Sequence, residues 1–184
     1  SVWYKELSNP RIVNPEDSMK GTYLGPSFTQ ENIEQILSNC DAKFSTYSEE
    51  EVLEITAQKL SEGEAVGWFQ GRMEFGPRAL GGRSILGDPR SVTMQKNLNL
   101  KVKYRESFRP FAPSIIREDL SDWFDFNDDS PYMLFVDQVK EDKHQKMSDD
   151  ELNLFGIDKL NIKRSEIPAV THVDYSARIQ TVHK

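Results

Sequence analysis

The sequence predicts an α/β domain, and three observations carry that expectation. Ser48-Glu49-Glu50-Glu51 has the spacing of a reciprocal helix cap and opens a run that closes at Gly63. An apolar strand pattern, Ala65-Val66-Gly67-Trp68-Phe69, follows directly. Further extended runs recur at 111–116, 133–139 and 177–182, separated by turn-forming residues. A helix, a glycine and then a buried strand is the succession expected of layered α/β packing.

Taken in order, residues 1–28 read as a connector, because Asn9-Pro10, Asn14-Pro15 and Gly25-Pro26 each interrupt regular structure. Thr29 can cap a short helix that ends near Asn39 and holds Ile33, Ile36 and Leu37 on one face. The next helix, from Ser48, carries Val52, Ile55, Ala57 and Leu60. The strand at 65–70 leads into a Gly- and Arg-rich loop, Gly71 to Ser84, in which Pro77 suits the first position of a short PRAL helix. Ile85-Leu86 is a second apolar run, followed by a short polar helix. Lys101, Lys103 and Arg105 would share one face of an extended segment. Phe111 to Ile116 reads as a strand, Glu118 to Phe124 as a short helix and Met133 to Val139 as a strand. Residues 140–166 are charged and read as an insertion, anchored only by Leu152, Leu154, Phe155 and Leu160. Pro168 to Thr171 and Ala177 to Val182 look extended.

With 184 residues the chain has room for one domain plus appendages, and its 37% hydrophobic content suffices for a core. One cysteine, Cys40, rules out an internal disulfide framework and suits a reducing, cytoplasmic setting. No apolar run approaches the roughly 20 residues of a membrane span, and the first residues lack the pattern of a signal peptide. The net charge of −7 argues against general binding to nucleic acid or anionic membrane.

Charge is unevenly placed. Between residues 71 and 109 nine Lys and Arg face three Asp and Glu, a local +6 that leaves −13 on the remainder. Three acids cannot neutralise nine bases, so a group of cations is left for an anionic ligand. Arginine is planar and permanently charged and grips phosphate or carboxylate with two parallel bonds. Arg72, Arg78 and Arg83 on one loop, with Lys101, Lys103, Arg105 and Arg109 as a second wall, define such a site. The alternatives are a structural glycine turn and a solvated basic edge. The loop is neither GxGxxG nor a Walker A motif. His172, Asp174 and Arg178 form a late polar group, with a satisfied structural histidine as the plainer reading; no recurring ligand spacing supports a metal site. Asp119, Asp122, Asp125, Asp128 and Asp129 read as a solvated acidic face.

Three blocks in order, GWFQGRMEFGPRALGGRSIL, NLNLKVKYRESFRPFAPS and IPAVTHVDYSARIQTV, resemble the C-terminal domain of NodU/CmcH-type O-carbamoyltransferases, enzymes of nodulation-factor and antibiotic carbamoylation. Two positions depart from the family pattern: Gly82, where Asn is usual, and Tyr175, where Gly is usual. The resemblance implies a YrdC-like fold, a twisted mixed sheet with flanking helices, over residues 29–184. It also implies an excised piece, lacking a C-terminal segment and an N-terminal acceptor domain of the actin-like ATPase type that holds iron. The implied reaction joins carbamoyl phosphate and ATP, with Mg²⁺ accompanying the nucleotide, into carbamoyl-adenylate for transfer to a hydroxyl. Arg72, Arg78 and Arg83 would hold the phosphates, with Ser84 as a hydroxyl donor. Lys103, Arg105 and Arg109 would line the triphosphate side, and His172, Asp174 and Arg178 would shape the cleft. The alternative is a non-catalytic module that binds nucleotide or RNA in a basic cleft.

Overall fold

The computed structural model describes residues 5–6, 16–160 and 162–183; the remainder of the expected connector, at 1–4 and 7–15, lies outside the described residues. The fold is mixed α/β with two small sheets and several short helices. Helix α1 (Gln30–Asn39) starts where Thr29 Oγ1 accepts the Asn32 N–H. Helix α2 (Glu49–Ser61) carries the full reciprocal cap: Ser48 Oγ accepts from Glu51 N–H while the Glu51 carboxylate accepts from Ser48 N–H. Neither helix buries a residue, and Ile33, Ile36, Leu53 and Ile55 stay exposed.

Strands β1 (Val66–Phe69) and β2 (Arg83–Leu86) pair antiparallel, so the Gly- and Arg-rich loop is the tip of a wide hairpin. The expected PRAL helix does not form; residues 71–80 are irregular. The reason is a competing acceptor. Glu74 is buried and its Oε1 takes the N–H groups of Leu80 (2.5 Å) and Gly82 (2.8 Å), which pulls the loop around a carboxylate. The N-terminal segment fastens to the same loop: Phe75 N–H donates to Thr22 O, Gly25 N–H to Met73 O and Met73 N–H to Pro26 O. A Cβ at Gly25 would lie 2.8 Å from Met73 O, so this close approach needs glycine.

After β2, helix α3 (Met94–Asn97) runs into a π-helical turn at Leu98–Val102. Lys101 to Arg105 are therefore not an extended segment. Buried Asn99 folds the chain back, and Tyr104 adopts φ +48° in the bend. Strand β3 (Ser114–Ile116) is shorter than the expected 111–116 run, and the anticipated helix near 118–124 is a 3₁₀ turn plus α4 (Leu120–Trp123). Strand β4 is Phe135–Gln138 and β5 is Ser176–Val182. The second sheet has the order β3-β5-β4, with β5 parallel to β3 and antiparallel to β4. The last strand is thus the central one, which explains its near-complete burial.

The principal core gathers Leu120, Phe124, Val139, Ile167, Val170, Ala177 and Ile179 beneath this sheet. Met94, Leu98 and Ala169 form a second cluster, joined to the first through Phe111. Pro168 to Thr171 is a turn rather than a strand, because Thr171 Oγ1 donates to Ile167 O (2.9 Å) and Val170 N–H also returns to that carbonyl. The charged 140–166 segment closes at its base: Gln145 N–H donates to Arg164 O, and Glu166 N–H to Lys143 O. Within it Ser148 and Glu151 cap α5 (Asp149–Leu152), and α6 (Ile157–Leu160) follows. All five aspartates of the acidic run are exposed. Among the described residues no helix is long and apolar enough to cross a membrane.

Candidate functional site

The three acids of the basic stretch each take one arginine. Glu74 lies 3.4 Å from Arg83 Nε, Asp88 2.8 Å from Arg90 and Glu106 3.0 Å from Arg109. These pairs identify which cations are left over. Arg78, Lys103 and Arg105 have no ion pair among the described residues, and all three line one cleft of about 310 Å³. Arg178 from β5 joins them, as do Ser84 on β2 and Gln180 on β5. Among the described residues, no carboxylate lines this cleft.

Each cation is set by a different device. Arg78 rides on the loop organised by Glu74. Burial pushes the Glu74 carboxyl up, but the backbone N–H groups of Leu80, Gly82 and their neighbours outweigh it and hold it below the ordinary glutamate value. Its Oε2 has only the 3.4 Å approach of Arg83 and no hydrogen bond among the described residues. The carbonyl of Leu80 is anchored from two sides, by Tyr23 Oη–H (2.7 Å) and Gln180 Nε2–H (2.8 Å). The loop is therefore tied to the central strand that carries Arg178.

The Lys103 N–H returns to Leu98 O, and Arg105 is placed by Asn99. Its Nδ2 donates to Ser107 O (3.0 Å) and Arg109 O (2.8 Å), and its Oδ1 accepts from Arg105 Nε (2.6 Å). The Arg105 guanidinium also lies over the Phe111 ring at 5.0 Å. Gln95 Nε2 donates to Phe108 O and Arg109 O, closing the same bend. Ser84 Oγ accepts from Gly81 N–H, which leaves its own proton available to a ligand. Replacing Asn99 with Ala is expected to cost about 2–3 kcal/mol, since buried polar groups lose their partners. Affinity of the cleft for an inorganic polyphosphate probe should fall about tenfold as Arg105 loses its position. Thermal melting and a tripolyphosphate titration check both; an unchanged affinity would dissociate Asn99 from the cleft.

Arg178 is the most strained member. Its Nε is buried with no hydrogen-bond partner among the described residues. Burial lowers its pKa, and the positive charges of Arg78 and Arg105 lower it further. Like charges are thus held together with no carboxylate among the described residues of the lining, an arrangement that a multiply charged anion would relieve.

The other sequence-predicted residues sit elsewhere. Arg72 lines a separate cavity of about 540 Å³ with Tyr23 and His183. Arg83 faces Glu74 and donates from Nη2 to Gly76 O (2.7 Å). Arg109 is an exposed partner of Glu106, although its backbone carbonyl helps close the bend. His172 Nδ1 lies 2.9 Å from Ser176 Oγ, which donates to Asp174 Oδ1 (2.7 Å). The hydroxyl's proton being spent on the carboxylate, His172 Nδ1–H is the donor in its pair with Ser176. Burial pushes the His172 pKa down, Asp174 opposes this and Arg178 adds to it. The group fixes the turn leading into β5. Tyr175 within that turn has φ +63°, a region that favours glycine, and its ring stacks on His144 at 4.1 Å. Gly82 has no room for a side chain, since a Cβ would meet Arg72 O at 2.7 Å.

Sequence reasoning passed over Glu74, Asn99 and Gln180 as positioning groups. In the sequence Glu74 reads only as one of three acids in the basic stretch. The available signal is an acid between Gly71 and Gly76 in a stretch of nine cations; Asn99 and Gln180 give none.

The cleft and its sheet define an α/β domain with a polycationic cleft. The chain belongs to the carbamoyltransferase C-terminus family, whose model matches residues 57–184. It is 56% identical over its whole length to an uncharacterized protein of Synechocystis sp., covering 30% of that protein. It is 38% identical to nodulation protein NolNO of Sinorhizobium fredii, over 92% of this chain and 23% of the relative. It is 41% identical to the 3'-hydroxymethylcephem-O-carbamoyltransferase of Streptomyces clavuligerus, over 67% of this chain and 19% of the relative. The chain therefore spans less than a third of the length of these relatives.

Proposed function

We propose that the domain binds ATP and carbamoyl phosphate in the Arg78–Lys103–Arg105–Arg178 cleft and forms carbamoyl-adenylate for transfer to a hydroxyl acceptor. The observation that carries this reading is that, among the described residues, four cations and no carboxylate line the cleft, and the buried Arg178 Nε has no hydrogen-bond partner. Loss of phosphate from carbamoyl phosphate to water leaves carbamate. A carbamate oxygen then bonds to the α-phosphorus of ATP while the bond to the leaving pyrophosphate breaks. Such chemistry demands positioning and charge compensation more than proton transfer. Arg178 and Arg78 would hold the departing phosphates, Lys103 and Arg105 the opposite wall, and Ser84 would donate to a phosphate oxygen.

Mg²⁺ would enter on the nucleotide's own oxygens, as it prefers phosphates over an all-protein cage, and would neutralise charge on the leaving group. The described residues contain no cluster of three or more His, Cys, Asp or Glu suited to a metal. On this reading the mixed β3-β5-β4 sheet belongs to a YrdC-like fold, the domain works in the cytoplasm where its substrates are made, and an iron-bearing acceptor domain accounts for much of the relatives' additional length.

The test is ATP–pyrophosphate exchange dependent on carbamoyl phosphate, run on the 184-residue chain and on a longer form with the relatives' extra length. Exchange in either supports the reading. Absence in both, with no rise in melting temperature on adding the two substrates, would sink it.

A further inference from the structure

The cation-lined cleft contains one group that a phosphate cannot use. Gln180 stands on β5 two residues beyond Arg178, so the two side chains leave one face of the strand about 7 Å apart. Its backbone is fixed, with the N–H donating to Pro113 O (3.0 Å). Its Nε2 donates to Leu80 O (2.8 Å). A carbonyl accepts and never donates, so this bond settles which end of the amide is nitrogen and which is oxygen. Oε1 is the free end. It accepts no hydrogen bond among the described residues, yet it keeps accessible surface, and Gln180 lines the cleft. Holding Leu80 O takes only the nitrogen, and Tyr23 Oη–H bonds the same carbonyl. The oxygen is therefore surplus to the anchoring of the loop.

The side chains around it are of the opposite kind. The four cations offer donors only, and Ser84 Oγ already accepts from Gly81 N–H and has its proton to give. The exposed Ser114 hydroxyl, opposite Gln180 on β3, can turn either way, and the Met133 thioether accepts only weakly. Among the described lining side chains, Gln180 Oε1 is thus the strong acceptor held in a fixed direction. Phosphate oxygens are themselves acceptors and gain nothing from it. A ligand that satisfies the whole lining carries phosphate oxygens at one end and a neutral N–H donor at the other.

We infer that Gln180 determines specificity for the carbamoyl group: Oε1 accepts from the carbamoyl –NH₂ while the cations hold the phosphate of the same molecule. The inference rests on the use of carbamoyl phosphate in this cleft and adds the group that recognises its nitrogen. Acetyl phosphate has nearly the same shape, with a methyl in place of –NH₂. That methyl would cover Oε1 without bonding it, which leaves an acceptor unsatisfied. The cleft therefore distinguishes –NH₂ from –CH₃ by hydrogen bonding and not by size.

The experiment is calorimetric titration with freshly dissolved carbamoyl phosphate and with acetyl phosphate at one ionic strength, on the 184-residue chain and on a longer form with the relatives' extra length. Carbamoyl phosphate should bind about tenfold tighter than acetyl phosphate. Gln180→Met removes the acceptor at similar length, with Tyr23 still bonded to Leu80 O, and should bring the two ligands to within about twofold of each other. Tyr23→Phe loosens the same carbonyl without touching Oε1; it should weaken both ligands alike and keep the tenfold ratio. Ser114→Ala should keep that ratio too. The ratio, unlike either affinity, is what a merely structural Gln180 would not move, and the wild-type comparison is decisive even if the Met variant does not fold. Equal binding of the two ligands by the wild type, or a preference that survives Gln180→Met, overturns the inference and leaves the cleft's use of carbamoyl phosphate standing. If carbamoyl phosphate binds neither form, both fall.

Discussion

Arg178→Met is expected to weaken ATP binding about 100-fold or more, roughly 3 kcal/mol, while leaving the fold as stable as before or more so. The two effects have one origin. Arg178 stands on the central strand beside Arg78 and Arg105, with its Nε buried and unpartnered. In the ligand-free protein it contributes desolvation cost and like-charge repulsion. Met has similar length without the charge, and replacing buried ionic groups by apolar ones of similar volume is often neutral or stabilising. A gain of about 1 kcal/mol would raise the melting temperature by roughly 2–4 °C in a chain of this size. With a polyphosphate bound, the same cation turns from liability to asset. Calorimetric titration with ATP and a melting curve on the same preparation decide the matter. Unchanged affinity would remove Arg178 from phosphate binding; a fall in both affinity and melting temperature would mean that its role is to hold the fold.

Parts of this arrangement were legible in the chain, and the divide has a physical basis. Features encoded within one helical turn or one strand were readable: the Ser48–Glu51 cap, the Thr29 cap, the strand at 66–69 and the run that becomes β5. The same four-residue signature stood at Ser148–Glu151 but was submerged in a charged stretch. Features decided by hydrogen bonds across the fold were not readable. Local sequence favours a helix at Pro77-Arg78-Ala79-Leu80, yet Glu74 takes the Leu80 N–H and Tyr23 and Gln180 take its carbonyl. Alternation favours an extended Lys101–Arg105, yet Asn99 ties its side chain to carbonyls beyond that segment. Charge arithmetic fared better. It showed that the cations exceed the acids, but only the fold reveals that the acids occupy Arg83, Arg90 and Arg109. Of the six cations that remain, Arg78, Lys103 and Arg105 line the cleft, and its fourth cation, Arg178, comes from the far end of the described chain.

Glu74→Leu is expected to destabilise the protein by about 3–5 kcal/mol, because the N–H groups of Leu80 and Gly82 stay buried without an acceptor and each such group costs about 1–3 kcal/mol. Arg83 loses its ion-pair partner as well. Gln at this position is isosteric and retains one acceptor oxygen for the two N–H groups, but it sets an amide donor against Arg83, so its cost should be smaller. Acid titration separates charge from shape. The folded-state pKa of Glu74 lies below the ordinary value of 4.5. A carboxyl depressed on folding stabilises fully above its unfolded pKa, and that contribution is lost as pH falls through the folded value. The stability difference between the wild type and Glu74→Gln should therefore be constant near neutrality and shrink only below about pH 4.5. Chemical denaturation across that range measures it. A difference that persists undiminished into acid, or a Glu74→Leu variant that melts like the wild type, would show that the loop carrying Arg78 is not organised by this carboxylate. If the loop does loosen, ATP affinity should fall with it, since Arg78 reaches the cleft only from the turn that Glu74 holds closed.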